Sequence, residues 1–375
     1  MERKRLGLVV NPVAGIGGRV GLKGSDGLDV QARARQLGAE PLAQERAAAA
    51  LDALRPLAGD IELLTPPGAM GEAAATRSGF VPTPIPGWHA ETRDTTADDT
   101  RRAARLLRAA GVDLLLFAGG DGTARDVYDG VGHDYPVLGI PAGVKIHSAV
   151  FGVTPRRAGE LAAEFLQGTR VCLREAEILD LDEEAYRSGE IVTRLYGYAS
   201  VPYRREYVQN RKVATPAGES VQAQAIAAEV VERMVPGRAY LLGPGTTTRA
   251  IAERLGLPKT LVGVDIVDLD RMLAWDVGER QILAALDQRR MGMIVTPTGG
   301  QGFLFGRGNQ PLSPAVIRRV GRENLLVVSL ASKIADLQGR PLLVDTGDTE
   351  VDRLLAGYVG VITGYREESI YRVAA

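Results

Sequence analysis

A chain of 375 residues is long enough for two or three domains with large cores. Its 45 Lys and Arg offset 46 Asp and Glu without any basic tract, which argues against nucleic acid or an anionic membrane surface as the main partner. The single cysteine, Cys172, excludes an internal disulfide and a cysteine metal cluster; it fits a reducing cytosol and is expected to be a small buried hydrophobe.

The first residues, MERKRLGLVVNP, are basic but have only a short apolar run before Asn11. They lack a signal-peptide core, and no stretch is long enough to span a bilayer, so a cytoplasmic protein with no membrane partner is expected. Leu6–Val10 reads as a strand and runs into a glycine-rich loop from Gly15 to Gly27. A loop that directly follows a parallel strand is expected to face a ligand. Its Arg19 and Lys23 are either phosphate contacts or solvated charges. Val30–Leu54 is alanine-rich and helical, and Ile61–Leu64 is the next strand. Asp94–Ala110 reads as a helix with acids and threonines at its start and Gly111 as its stop.

The most informative stretch is Asp113–Val127, DLLLFAGGDGTARDV. Leu114 to Phe117 suit a strand buried on both faces. The turn Gly119-Gly120-Asp121-Gly122-Thr123 follows, and then a helix with Ala124, Val127, Tyr128 and Val131 on one stripe. A strand, a glycine turn and a helix start form a phosphate cradle, because glycines let backbone N–H groups approach an anion and the helix N-terminus is partly positive. Asp121 is the odd member of such a cradle. A carboxylate there makes sense if it handles a proton or a metal beside the phosphate; otherwise it is a helix cap.

Pro136–Ile140 is a further strand, followed by PAGVKIHSAVFGVTP and a helix near Arg156–Gly168. Lys145 and His147 lie in that connecting segment, which faces the same crevice. Lys145 is placed to hold a phosphate; His147 either bonds a ribose or phosphate or is a structural histidine. Strand and helix alternate throughout residues 1–170, so a doubly wound parallel sheet is expected there.

From Val171 the pattern changes to two longer strands and a hairpin, and a β-rich second domain is expected over residues 171–334. Helical and α/β elements intrude on it: a helix over Val221–Val235, a strand, glycine turn and helix over Ala239–Leu255, and strands at Leu261–Val267, Met293–Thr296 and Leu325–Leu330. Gly243, Gly245, Thr246 and Thr247 form a second glycine turn. It is either a cradle for a phosphate of the acceptor or a tight turn with threonine caps. Asp345, Asp348, Glu350 and Asp352 read as helix-start acids. The last strands, Leu342–Asp345 and Val359–Thr363, are expected to return residues 335–375 to the first domain.

Walker A spacing is absent, and the first turn has no GxGxxG. LLLFAGGDGT instead resembles the signature of ATP–NAD kinases and of their relatives, the diacylglycerol, sphingosine and 6-phosphofructokinases. LGLVVNPVAGIGG resembles the first-strand motif of the same superfamily. GIPAGVKIHSAVF, GGQGFLFGRGNQPLSP and LLVDTGD resemble the branch of predicted ATP–NAD kinases that includes acetoin catabolism protein X. The resemblance implies a cytoplasmic homo-oligomeric kinase that uses ATP and Mg²⁺, with NAD as the leading acceptor. It implies that Asp121 accepts the proton of the acceptor hydroxyl or orients it through Mg²⁺. It further implies that Gly119, Gly120, Gly122 and Thr123 donate to phosphates, with Asn11 and Gly15 beside them. The Asn–acid pair with which NAD kinases grip the NAD ribose is missing near Glu175–Tyr203. The acids Asp180, Asp182, Glu183 and Glu184 read there as a hairpin edge. The intruding helices also depart from the β-sandwich second domain of NAD kinases. Another small hydroxyl acceptor, or a non-catalytic nucleotide-binding protein of the acetoin catabolism protein X type, is therefore the alternative.

Overall fold

The computed structural model describes residues 3–22, 28–88, 95–144, 146–168, 171–181, 193–204, 207 and 220–375. The chain divides into two compact units, the first mainly Glu40–Asn210 with Met1–Ile16 and the second mainly Arg211–Ala375.

The first unit is built on five parallel strands: β1 (Lys4–Val10), β2 (Ile61–Thr65), β3 (Thr83–Pro84), β4 (Leu114–Gly119) and β5 (Val137–Pro141), in the order β3-β2-β1-β4-β5. β4 is buried along its whole length, as its unbroken apolar run requires. The helices are α1 (Leu28–Gln36), α2 (Ala43–Leu54), α3 (Glu72–Arg77), α4 (Ala97–Ala109), α5 (Asp121–Val131) and α6 (Pro155–Leu166). α2 pairs with α6 and α4 with α5, so the sheet is doubly wound as expected. The helix expected over Val30–Leu54 is two helices, broken where Gly38 takes a φ of 76°. α4 begins later than expected because Thr96 forms a capping box, its N–H donating to the Asp99 carboxylate at 2.8 Å.

Two long strands, β6 (Cys172–Leu181) and β7 (Thr193–Tyr203), form the expected antiparallel hairpin. It belongs to the first unit, not to the second domain over 171–334. Ala149 N–H donates to Glu177 O at 2.8 Å, and β6 packs on α5. Cys172 is exposed at the start of β6, which corrects the expected burial.

The second unit is a nine-stranded mixed sheet. Its strands are β8 (Ala239–Leu242), β9 (Asp265–Val267), β10 (Met272–Ala274), β11 (Met291–Val295), β12 (Phe303–Phe305), β13 (Leu325–Val328), β14 (Leu342–Val344), β15 (Gly357–Gly364) and β16 (Glu367–Ala374). β8, β11, β13 and β15 run parallel and adjacent. Successive residues alternate between two cores. Leu241, Met293, Val327 and Val361 face one, with Ile282 of α9 (Glu279–Gln288), Val316 of α10 (Pro314–Val320) and Val351 of α12 (Thr349–Leu355). Leu242, Ile294, Val328 and Ile362 face the other, with Ile226 and Val230 of α7 (Ser220–Arg233) and Ile251 of α8 (Thr246–Arg254). α11 (Ala331–Ala335) follows β13.

Residues 335–375 do not return to the first sheet. β16 pairs antiparallel with β15 and parallel with β14, which in turn pairs with β12, so the last three strands complete the second sheet.

Candidate functional site

The first sheet reverses its winding between β1 and β4, because β2 and β3 lie on one side of β1 and β5 lies on the far side of β4. Such a switch point opens a crevice at the carboxyl ends of the two strands. Asn11 leaves β1 there, and Gly120 and Asp121 leave β4.

Three loops meet at the crevice. Asn11 N–H extends the ladder to Ala118 O at 2.9 Å. Its side-chain oxygen accepts from Val13 N–H at 3.2 Å, and its Nδ2 donates to Thr123 Oγ1 at 3.0 Å. Gly119 O accepts from both Ala142 N–H, at 2.9 Å, and Gly143 N–H, at 3.0 Å. Gly15 has φ +78°, and a Cβ there would sit 2.2 Å from Ala142 O, so only glycine fits. A Cβ on Gly119 would lie 2.3 Å from Thr123 Oγ1. The loops after β1, β4 and β5 are thus locked to one another through backbone and short side chains.

Asp121 is the first residue of α5, with Gly120 as its N-cap. Its carboxylate does not cap its own helix. Oδ1 accepts from Ser148 N–H at 2.9 Å, and Oδ2 accepts from His147 N–H at 2.9 Å. The His147 ring Nδ1 is 3.2 Å from Oδ2. The pair is nearly sealed, with side-chain exposures of 4% for His147 and 11% for Asp121. Against an ionised carboxylate, which only accepts, this contact requires the ring proton on Nδ1. Each carboxylate oxygen has two acceptor directions. Both of those on Oδ2 are taken; Oδ1 keeps one after Ser148. The first intrahelical bond of α5 runs from Ala124 N–H to Gly120 O at 3.0 Å. The N–H groups of Asp121, Gly122 and Thr123 precede it and lie at the positive end of the helix. Anion donors and a fixed carboxylate with one open acceptor position therefore share one crevice.

Two ATP–NAD kinase domains match the chain, the N-terminal domain over residues 6–170 and the C-terminal domain over residues 238–373. The chain belongs to the ATP–NAD kinase family. The N-terminal match takes in all three crevice loops. Among solved structures, one described as a candidate diacylglycerol kinase from Bacillus anthracis str. Sterne is similar at 14% identity with a TM-score of 0.26. That match covers 48% of this chain and 44% of the other, less than half of either. A comparison with curated proteins gives no match.

The crevice brings together Asn11, Gly15, Gly119, Gly120, Asp121, Gly122, Thr123 and His147. Thr123 is buried, and its hydroxyl is turned to Asn11. Lys145 and Lys23 lie outside the described residues, as do Asp182, Glu183 and Glu184. Asp180 pairs with Arg125 of α5, in keeping with a hairpin edge. Gly243 and Gly245 lie in the turn between β8 and α8 of the second unit, and Thr246 and Thr247 open α8. Asp348 caps α12 by accepting from Glu350 and Val351 N–H; Asp352 accepts from Thr346, and Asp345 pairs with Arg307. Ser148 is the residue that sequence reasoning missed. Its contribution is a backbone N–H, which leaves no mark in residue type.

Among the described residues no group of three or more His, Cys, Asp or Glu is arranged to hold a metal. None of the helices described is long and apolar enough to cross a membrane.

Proposed function

We propose that the chain transfers the γ-phosphoryl group of ATP to a small-molecule hydroxyl, with the 2′-hydroxyl of the NAD ribose as the leading acceptor. The observation that carries this reading is the fixed Asp121 carboxylate beside the first-turn N–H groups of α5. The N–H groups of Asp121, Gly122 and Thr123 bind donor phosphate oxygens at the helix N-terminus. The acceptor hydroxyl donates to the open position on Asp121 Oδ1 and loses its proton there as its oxygen bonds to phosphorus. The bond from phosphorus to the bridging oxygen breaks, and ADP leaves. His147 and the backbone of Ser148 hold the carboxylate in place throughout. A divalent cation, Mg²⁺ in this proposal, would be held through phosphate oxygens, since the one open position of Asp121 takes the acceptor hydroxyl. When bound it neutralises phosphate charge. The proposed setting is a cytoplasmic homo-oligomer.

A second reading keeps the same donor site with a different small hydroxyl acceptor. It is favoured by the second unit, whose central parallel strands are covered by helices on both faces. Incubation with ATP, Mg²⁺ and NAD, followed by an assay for NADP, separates the two. NADP formation supports NAD as acceptor. ADP release with another alcohol but not with NAD supports the second reading. ATP binding with no turnover on any alcohol rejects both in favour of a nucleotide-binding protein of the acetoin catabolism protein X type.

A further inference from the structure

The second unit repeats, on its own sheet, the local pattern of a strand, a glycine turn and a helix. β8 ends at Leu242, the chain turns through Gly243-Pro244-Gly245, and α8 starts at Thr246. The first intrahelical bond runs from Arg249 N–H to Gly245 O at 3.1 Å, which leaves the N–H groups of Thr246, Thr247 and Thr248 ahead of it. A helix start alone would carry no site. A separate observation concerns its hydroxyls.

Among the described residues two hydroxyls are buried without a hydrogen-bond partner, those of Thr247 and Thr296. A buried hydroxyl with no partner costs stability, so native chains rarely keep one without a use. These two share a location. Thr247 is the second residue of α8 and 0% exposed. It lies one turn before Ile251, on the face that packs against the sheet. Side chains on a helix lean toward its N-terminus, so the Thr247 side chain leans toward the first turn. Thr248 leans the same way and donates to Gly243 O at 2.7 Å. Thr296 directly follows β11, the parallel neighbour of β8. A Cβ on Gly245 would lie 2.9 Å from Thr296 Cγ2, so Thr296 borders the same turn. Gly245 has φ +126° and leaves that space clear.

Charge is compatible with an anion. Asp265 lies opposite Leu242 at the end of β8, but Lys259 Nζ is 3.0 Å away, and both side chains are fully buried. Thr260 and Asp276 N–H groups also donate to Asp265. Its negative charge is therefore compensated within the fold.

We infer that the turn between β8 and α8 is a second anion site, which takes a phosphate group through the N–H groups of Thr246–Thr248 and the hydroxyls of Thr247 and Thr296. The ligand class is a phosphomonoester of a small molecule or free phosphate, bound by neutral donors and the helix dipole. This inference stands apart from the kinase reading, because every group it uses lies in the second unit.

The test is a titration of the full chain, following the backbone amide resonances of Thr246–Thr248, first with inorganic phosphate and then with glycerol 3-phosphate. Saturable shifts are expected. Tighter binding of glycerol 3-phosphate assigns the site to phosphomonoesters; equal binding assigns it to the phosphate group alone. Thr247→Val removes the hydroxyl at nearly constant volume and should weaken binding by about tenfold or more. If Thr247→Val does not fold, Thr296→Val serves in its place. Asp121→Asn should leave these shifts unchanged. Absence of shifts with both probes in the wild-type chain, or binding unaltered by loss of the hydroxyl, overturns the inference.

Discussion

His147 contacts one oxygen of Asp121 twice, through its backbone N–H at 2.9 Å and through its ring Nδ1 at 3.2 Å. A single residue thereby fixes both where the carboxylate lies and which of its oxygens stays open. Ser148 N–H takes only one direction on the other oxygen, so the open position lies on Oδ1.

Asp121→Asn should abolish turnover while leaving ATP binding in place. The amide has no basic oxygen pair, and its NH₂ must face one of the two backbone N–H donors. A donor set against a donor also costs about 1–3 kcal/mol of stability. Product formation, ATP affinity and Tm are measured on the same preparation. Retained turnover would remove Asp121 from the proposed chemistry.

His147→Ala should be milder. The N–H groups of residues 147 and 148 remain, so the carboxylate keeps two of its three partners. A loss of about tenfold in kcat, corresponding to ~1.4 kcal/mol, is expected with little change in the KM for ATP. A purely structural role would lower Tm without this loss of kcat in the folded enzyme.

Gly15→Ala and Gly79→Ala form a matched pair. Both glycines have φ +78°, but a Cβ on Gly15 would meet Ala142 O at 2.2 Å whereas one on Gly79 meets nothing within 4 Å. Left-handed strain, about 1–2 kcal/mol, is common to both. Gly15→Ala should therefore lower Tm more and also weaken ATP binding by forcing the loops after β1 and β5 apart. Equal Tm losses would show that the contact with Ala142 is unimportant.

Glu229 gives a pH-dependent contribution. The Arg366 N–H and the Arg233 guanidinium, each at 2.8 Å, hold its carboxyl below the usual range despite an opposing effect of burial. The folded state therefore favours the ionised form. Stability from this group is fully present above the ordinary Glu value of about 4.3 and is lost as pH falls through the lowered folded value. Glu229→Gln should be less stable near neutrality, and the gap to wild type should narrow only in acid. Denaturant titrations at several pH values read this out; a gap independent of pH down to strong acid would contradict it.

Local features were legible where local physics decides them. The apolar run Leu114–Phe117 can only be a strand buried on both faces, and the glycines after it can only be a turn. Asp121 is legible from its glycine turn after a strand, whereas Asn11 and Gly15 are expected beside it from the family resemblance of the first-strand motif. Allegiance to a sheet is not local. The hairpin of β6 and β7 alternates like a strand pair of either unit, and its docking is decided by contacts distant in sequence, such as Ala149 with Glu177, Ser148 with Leu179 and Ser200 with His133. β12 is three residues long and β3 is two, too short for periodicity to report. β16 begins with Glu367, Glu368 and Ser369 at exposed positions, and this polar start masks its strand pattern. Cys172 is exposed because it begins an edge hairpin, a circumstance its residue type does not encode.

Ser148 does more than donate to Asp121. Its Oγ accepts from Leu179 N–H at 2.9 Å, and the next residue, Ala149, bonds Glu177. The open oxygen of Asp121 is therefore gauged from the edge of β6. Sliding that strand by one residue would put its other face inward and present a neighbouring peptide group to Ser148. The long hairpin acts as the ruler against which the carboxylate is set.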